Sequence, residues 1–360
     1  MSLNHAQTEA VAHNKGPCMV LAGPGSGKTL TIAKRIEYLI MKHKVRPEEI
    51  LVITFTKYAA WEMKNRTRSI CGPSSYAVTF GTFHGIYYGI LKWAYRLNQS
   101  NLLSDEEKYR ILREILPGID WDQEPEADEE KDYLQELAIE IGNVKNNCMD
   151  IEEYEPVKYT TEKFRKLYRT YEETKKKYRK IDFEDMLIQC RDLFMKRPDI
   201  LKKWQEKFQY ILVDEFQDVN QAQYDVVRML AAPQDNLFVV GDDDQSVYGF
   251  RGAKPGIMKE FMKDYPKARQ ILLDVNYRSS GYIVKGALRV IGNNKIRFEK
   301  KIEAFRKPDE TVHVQEVKDP VQEAEYVLER IREYREKGVS YTEMAVLYRT
   351  NVDARAMSEL

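Results

Sequence analysis

The 360-residue sequence predicts an α/β protein: a parallel sheet covered by helices on both faces, an inserted all-helical subdomain, and the start of a second α/β unit. Three observations predict it. Short continuous apolar runs alternate with helical patterns, as strands buried on both faces do. That strand signal disappears between about residues 89 and 180, where long amphipathic helical patterns replace it. It resumes beyond Asn276 with only about two further runs, too few for a complete sheet domain.

Taken in order, Cys18-Met19-Val20-Leu21 is an apolar run that ends in glycines and leads into a helical pattern through Ile32, Ile36, Leu39 and Ile40. Ile50-Leu51-Val52-Ile53 is a second strand candidate, followed by a helix from Ala59 to Ile70. Tyr210-Ile211-Leu212-Val213, Leu237-Phe238-Val239-Val240 and Gln270-Ile271-Leu272-Leu273 repeat the pattern. Inside the insertion, Tyr109, Leu112, Ile115 and Leu116 mark one apolar helical face. The two late strand candidates are Val312-His313-Val314 and Ala345-Val346-Leu347-Tyr348.

Composition excludes several classes. Hydrophobic residues at 43% and aromatics at 11% are enough to build cores and argue against a disordered chain. Lys and Arg number 57, as do Asp and Glu, so only local charge can speak about partners. The chain leans basic over its first ninety or so residues, acidic from about Ser104 to Glu155, and basic again from Lys158 to Lys180. The acidic block reads as a solvated helical surface. No apolar run approaches the ~18–20 residues that cross a bilayer, and Met1-Ser2-Leu3-Asn4-His5 is no signal segment. Cys18, Cys71, Cys148 and Cys190 show no Cys-x-x-Cys spacing, and no two histidines form His-x-x-x-His, so neither a disulfide framework nor a zinc ribbon is supported. A cytoplasmic protein with reduced cysteines and no membrane partner is expected.

The strongest chemical signal is Ala22-Gly23-Pro24-Gly25-Ser26-Gly27-Lys28-Thr29, set between an apolar strand and a helix. That is the context of a P-loop. Glycines let backbone N–H groups turn inward around phosphates, and the following helix points its positive end at the same anion. Lys28 is placed to reach β- and γ-phosphates, and the Thr29 hydroxyl to ligate Mg²⁺. The first position is Ala rather than Gly, a common relaxation.

The second signal is Ile211-Leu212-Val213-Asp214-Glu215, a buried strand ending in two carboxylates. Asp214 is the candidate Mg²⁺ ligand, and Glu215 the candidate acceptor of the attacking water's proton. Alone, such a pair is often a turn or a helix cap. Beside a P-loop it gains meaning, because each supplies what the other lacks. Thr29 and Asp214 would share one ion although they are far apart in sequence, so the helical stretch between them must loop out of the nucleotide-binding domain.

A longer set of ordered motifs resembles the superfamily 1 DNA helicases of the UvrD/PcrA/Rep type. Asp214-Glu215-Phe216-Gln217-Asp218, the run from Gly241 to Gly252 that includes Gln245, Tyr248, Phe250 and Arg251, and Asn276-Tyr277-Arg278-Ser279 carry the resemblance. Leu3-Asn4-His5-Ala6-Gln7, Thr54-Phe55-Thr56, Gly81-Thr82-Phe83-His84 and Asp182-Phe183-Glu184-Asp185 are similar to further motifs of that family. The resemblance runs to Tyr348-Arg349-Thr350-Asn351, nearly the whole chain. It implies a RecA-like ATPase domain over 1–88 and 181–275, a helical insertion over 89–180, and the start of a second RecA-like domain over 276–360. It implies that Gln7 hydrogen-bonds the adenine edge and that Tyr277 packs on the base. Gln245 would couple the γ-phosphate to the DNA-contacting segment after it. Arg278 would reach the γ-phosphate from the second domain, where a guanidinium stabilises phosphoryl transfer. ATP and Mg²⁺ are the expected ligands.

Single-stranded DNA and duplex junctions are the expected partners. Exposed aromatics that stack on bases contribute roughly 1–3 kcal/mol per base without regard to sequence. Phe55, Tyr248 and Phe250 are the candidates, with Lys57, Thr82, His84 and Arg251 holding phosphates or ordering nearby loops. Three positions depart from the family pattern. Leu30 stands where an Arg often stacks on adenine, Phe250 replaces the usual Trp, and Lys57-Tyr58 replaces Asn-Lys.

Two later family motifs, His-x-Ala-Lys-Gly-Leu-Glu and Thr-Arg-Ala, do not occur before Leu360. The second normally supplies another arginine to the γ-phosphate. The expectation is therefore an N-terminal fragment of a 3′→5′ helicase, joined to the remainder of the same chain and itself impaired in turnover. An ATP- and DNA-binding module without appreciable turnover, the motor part of a helicase–nuclease subunit, and a P-loop transferase are the rival readings. Protein partners and oligomeric state are not legible.

Overall fold

The computed structural model describes residues 2–119, 130–247, 249, 252–254, 256–295, 297–307, 311–350 and 357. Along the chain come α1 (His5–Ala12), β1 (Cys18–Ala22), α2 (Lys28–Met41), β2 (Ile50–Thr54), α3 (Lys57–Cys71), β3 (Thr79–Thr82) and α4 (Phe83–Tyr95). Among the described residues four helices follow without a strand: α5 (Asp105–Ile115), α6 (Glu130–Asn146), α7 (Thr161–Lys177) and α8 (Phe183–Lys196). Then come α9 (Pro198–Lys207), β4 (Tyr210–Val213), α10 (Gln221–Ala231), β5 (Leu237–Gly241), α11 (Ile257–Asp264), β6 (Arg269–Leu273), β7 (Val275–Ser280), α12 (Gly281–Ile291), β8 (Glu303–Arg306) and α13 (Pro320–Glu336).

Six strands form one parallel sheet in the order β3-β2-β4-β5-β1-β6. The expected α/β class and parallel sheet are thus what the chain adopts. Every residue of β1, β2, β4 and β5 is buried, which is why these strands read as unbroken apolar runs rather than alternating ones. Alternate side chains still go to opposite faces. Met19, Leu21, Leu51, Ile53, Ile211, Val213, Leu237 and Val239 pack with α4, α8, α10 and α11. Cys18, Val20, Ala22, Ile50, Val52, Leu212, Phe238 and Val240 pack in a second core with residues of α1, α2 and α3. Burying one such side chain fully is worth roughly 1.5–3 kcal/mol.

The strandless stretch has its own core, which includes Ile111, Leu112 and Ile115 of α5, Leu134, Leu137 and Ile141 of α6, and Phe164, Leu167 and Tyr171 of α7. β7 and β8 pair in parallel as a separate two-stranded sheet.

The chain divides into two compact units, Met1–Asp309 and Glu310–Leu360. In the second unit α13 is the one long helix among the described residues. The strands expected at Val312-His313-Val314 and Ala345-Val346-Leu347-Tyr348 do not form. Among the described residues neither segment has a ladder partner, and Val314 and Leu347 stand almost fully exposed. Apolar content marks these segments as able to join a sheet, but a strand exists only where a neighbour answers its backbone. β3 was missed for the opposite reason: Thr79-Phe80-Gly81-Thr82 is polar and half-buried, but lies at the edge beside β2. No helix among the described residues is long and apolar enough to cross a membrane.

Candidate functional site

Parallel strands bring their C-terminal ends to one edge of a sheet, and ligands of open α/β sheets bind there. Here that edge collects the loop after β1, the acid pair after β4, Asp242 after β5, Phe55 after β2 and Thr82 at the end of β3.

The loop after β1 is tight. Ser26 N and Ser26 Oγ donate to Gly23 O at 3.3 and 2.7 Å. Gly25 and Gly27 have φ of +68° and +87°, a region L side chains rarely enter. Space forbids a side chain too: a Cβ on Gly25 would lie 2.6 Å from Arg278 Cβ, and one on Gly27 would lie 2.7 Å from Gln7 Nε2. Gly27 is the N-cap of α2, and no side chain caps that helix. Its first N–H groups are therefore open to an anion, with the helix dipole behind them.

Lys28 and Glu215 meet across the edge, with Nζ 2.8 Å from Oε2. Glu215 has φ of +50°, a strained left-handed conformation that directs its carboxylate at the loop. Asp214 is buried at the end of β4, its N–H donating to Ile53 O at 2.9 Å. Burial, then the adjacent Glu215 charge, pushes its carboxyl up to about 7, against a smaller opposing pull from Lys28. A carboxylate so poorly compensated fits a cation. Its oxygens and a hydroxyl such as that of Thr29 are the kind of donors that would suit Mg²⁺.

Gln217 ties this edge together and was singled out by no sequence signal beyond its place in the motif. Its Nε2 donates to Glu215 Oε2 at 2.9 Å, and its Oε1 accepts from Asp242 N at 3.0 Å. Asp242 Oδ2 in turn accepts from Gln245 Nε2 at 2.6 Å. A buried side chain thus joins the acid pair to the Gln245 segment.

Gln7 lies against the loop, but its amide is engaged. Nε2 donates to Ser26 O at 2.9 Å, and Oε1 accepts from Asn4 N at 3.1 Å in the capping box of α1. One amide hydrogen and one lone pair remain for another partner. Tyr277 N donates to Gly25 O at 2.9 Å, and Tyr277 OH accepts from Asn4 Nδ2 at 2.9 Å. Arg278 is exposed, with its Cβ against Gly25. Pro24 is exposed and Leu30 half-buried.

A second group of predicted residues lines a cavity of about 500 Å³ between the sheet edge and the helical stretch. Phe55 and His84 enter from the sheet side, Asn143 and Asn146 from α6, and Phe183 from α8. Phe183 is half exposed, and its ring meets His84 edge-on at 5.6 Å. In the sequence Phe183 stands only as part of a family-like motif, with no role of its own. Burial lowers the His84 pKa, with Glu184 opposing, so the ring is neutral near pH 7. Thr82 Oγ1 accepts from Gly85 N at 3.1 Å and caps α4, while Lys57 is exposed at the first turn of α3. Tyr248, Phe250 and Arg251 lie outside the described residues.

A glycine-rich loop facing an acid pair, Asp214 buried and Glu215 half-buried, at the carboxyl edge of a parallel sheet defines a P-loop nucleotide-binding protein. The comparisons narrow this. Residues 3–266 match the UvrD/REP helicase N-terminal domain, and residues 271–360 match the UvrD-like helicase C-terminal domain. The chain is 40% identical to YjcD of Bacillus subtilis over 370 residues, covering 100% of this chain and 47% of YjcD. It is 36% identical over 365 residues to the ATP-dependent DNA helicase PcrA of Staphylococcus aureus, covering 99% of this chain and 49% of that protein. It is also 35% identical to PcrA of Staphylococcus epidermidis. The chain belongs to the UvrD/REP helicase family. It spans about half the length of the curated relatives it matches.

Proposed function

We propose that this chain is the ATP-binding front of a DNA helicase that moves 3′→5′ along single-stranded DNA and opens duplex junctions in the cytoplasm, together with the remainder of a longer chain. The observation that carries the reading is the Lys28–Glu215 contact of 2.8 Å, which sets the loop after β1 and the acids after β4 face to face. Gly23, Pro24, Gly25, Ser26, Gly27, Lys28 and Thr29 hold the phosphates. Gln7, Leu30 and Tyr277 bound the base.

Thr29 and Asp214 would hold Mg²⁺, which would supply charge neutralisation on the phosphates. Glu215 then leaves Lys28 to the phosphates and orients the water that attacks the γ-phosphorus, taking its proton. Gln245 senses the γ-phosphate, and Arg278 adds positive charge to the transferring group. Phe55, Tyr248 and Phe250 stack on bases, with Lys57, Thr82, His84 and Arg251 around the backbone. Residues 1–88 and 181–275 form the first RecA-like domain, 89–180 the inserted domain and 276–360 the start of the second. The separate core formed from α5, α6 and α7 supports this division.

The test is ATP hydrolysis by the 360-residue chain with and without single-stranded DNA, beside Lys28→Ala and Glu215→Gln. Mg-ATP and DNA binding, with nucleotide binding lost in Lys28→Ala, is the expected result. Turnover is expected to be slow. No nucleotide binding by the unaltered chain would refute the proposal.

A further inference from the structure

The same edge is met by a short segment, Arg297 to Ile302, that no motif marks. Lys300 is at its centre, with a side chain wholly excluded from solvent. Its Nζ lies 2.5 Å from Asp242 Oδ1, 2.6 Å from Asp243 Oδ1 and 2.7 Å from Asp244 Oδ2. An ammonium has three N–H donors, and here each has its own carboxylate. A planar guanidinium could not address three separate acids in this way. Arg297 closes the outer side, donating from Nε and a terminal nitrogen to Asp244 at 2.9 and 2.6 Å. Phe298 N donates to Asp243 Oδ2 at 2.7 Å.

Asp242 connects this cluster to the chemistry. Lys300 holds its Oδ1, Gln245 Nε2 donates to its Oδ2, and its own N–H donates to Gln217 Oε1, which leads on to Glu215. Two residues past Lys300, Ile302 Cδ1 lies 2.6 Å from where a Cβ on Gly23 would stand. One segment therefore touches both the phosphate loop and the aspartate that holds Gln245. Anything that moves the loop against Ile302 also pulls on Lys300.

We propose that Lys300 is a positioning residue: by fixing Asp242 it sets Gln245, and so makes the grip on single-stranded DNA depend on the state of the nucleotide loop. The proposal rests on the reading of Gln245 as a nucleotide-site residue. Without the ammonium, buried Asp242 would lose its charge partner while half-buried Asp244 keeps Arg297, so loss of Lys300 acts first on the carboxylate that holds Gln245.

The test measures binding of a fluorescent oligo-dT to the 360-residue chain, with and without saturating Mg²⁺ and a non-hydrolysable ATP analogue. A separate titration with a fluorescent nucleotide, compared with Lys28→Ala, checks that the analogue site exists. The expected wild-type ratio of oligo-dT affinities is at least ~5-fold, the lower range of allosteric coupling. In Lys300→Met and Asp242→Asn the ratio should fall to within about twofold of one. Lys301→Met, which removes an exposed neighbouring charge, should keep the wild-type ratio. If Lys300→Met does not fold, Asp242→Asn decides. A variant that melts earlier yet keeps the full ratio shows a structural role only and overturns the proposal, as does a wild-type ratio near one. Absence of nucleotide binding in the unaltered chain overturns the site reading instead.

Discussion

Two buried carboxylate sites differ in how their charge is answered. Where α6, α7 and α8 meet, Lys145 and Lys175 are set among Glu172, Asp182 and Asp185. Lys145 Nζ is 2.8 Å from each aspartate, and Lys175 Nζ is 2.7 Å from Asp182 and 2.5 Å from Asp185. Glu172 Oε1 lies 2.7 and 2.9 Å from the two ammoniums as an ion contact. Burial alone would raise Asp182, but Lys145 and Lys175 outweigh it and hold its carboxyl well below the usual range. At the sheet edge Asp214 is also buried, but the nearest lysine gives its bond to Glu215, and Asp214 is pushed up to about 7. At the first site Asp182 is answered within the fold, although burial outweighs the same lysines at Asp185 and holds its carboxyl above the ordinary value. The second is left short of positive charge, as functional sites often are.

The sharpest way to break that contrast is Glu215→Gln. If Glu215 activates water, ATP turnover should drop by ~10²–10⁴-fold while nucleotide binding persists, read by phosphate release and fluorescent-nucleotide titration. A drop below about tenfold would reduce Glu215 to a counter-ion of Lys28, no different in kind from Asp182 beside Lys145.

Next in size is Lys175→Met. Removing one partner of a buried ion network typically costs about 3–5 kcal/mol, so a large fall in the thermal or urea midpoint is expected. A small fall would mean that these acids take up protons as readily as Asp214, and the contrast would vanish. Acid provides an independent check. Because the folded pKa of Asp182 is depressed below its ordinary 3.8, its stabilisation is fully present above that value and is lost as pH falls below it. Hydrogen exchange of α7 and α8 should therefore stay slow down to about pH 4 and accelerate below it in the wild type.

The contrast also explains what was legible in the sequence. The apolar runs of β1, β2, β4 and β5 and the glycines of the loop were readable because each is a local requirement: burial on two faces, or a φ only glycine adopts freely. Lys28, Asp214 and Glu215 were readable because a motif fixes them relative to those strands. Gln217 was visible only as part of its motif, and its bridge from Glu215 to Asp242 depends on two strands lying side by side. Nothing local distinguishes Lys145, Lys175 or Lys300 from a surface lysine, because their acids come largely from another helix or a distant loop. The strands expected near residues 312–314 and 345–348 failed for the same reason, as pairing is not a property of one segment.

The smallest expected effects separate holding a phosphate from holding a loop. Thr82 caps α4 through the 3.1 Å bond from Gly85 N, so Thr82→Ala should cost about 1 kcal/mol of stability. By loosening the start of α4 it should weaken single-stranded DNA binding only a few-fold. Its salt dependence should be unchanged, and Thr82→Ser should restore both. Lys57 caps nothing and is exposed at the start of α3. If it faces a phosphate, Lys57→Ala should leave the melting temperature alone and lower the slope of log affinity against log salt by about 0.7, the value for one contact on a single strand. A slope change in Thr82→Ala and none in Lys57→Ala would exchange their roles, placing the phosphate at the end of β3 rather than beyond β2.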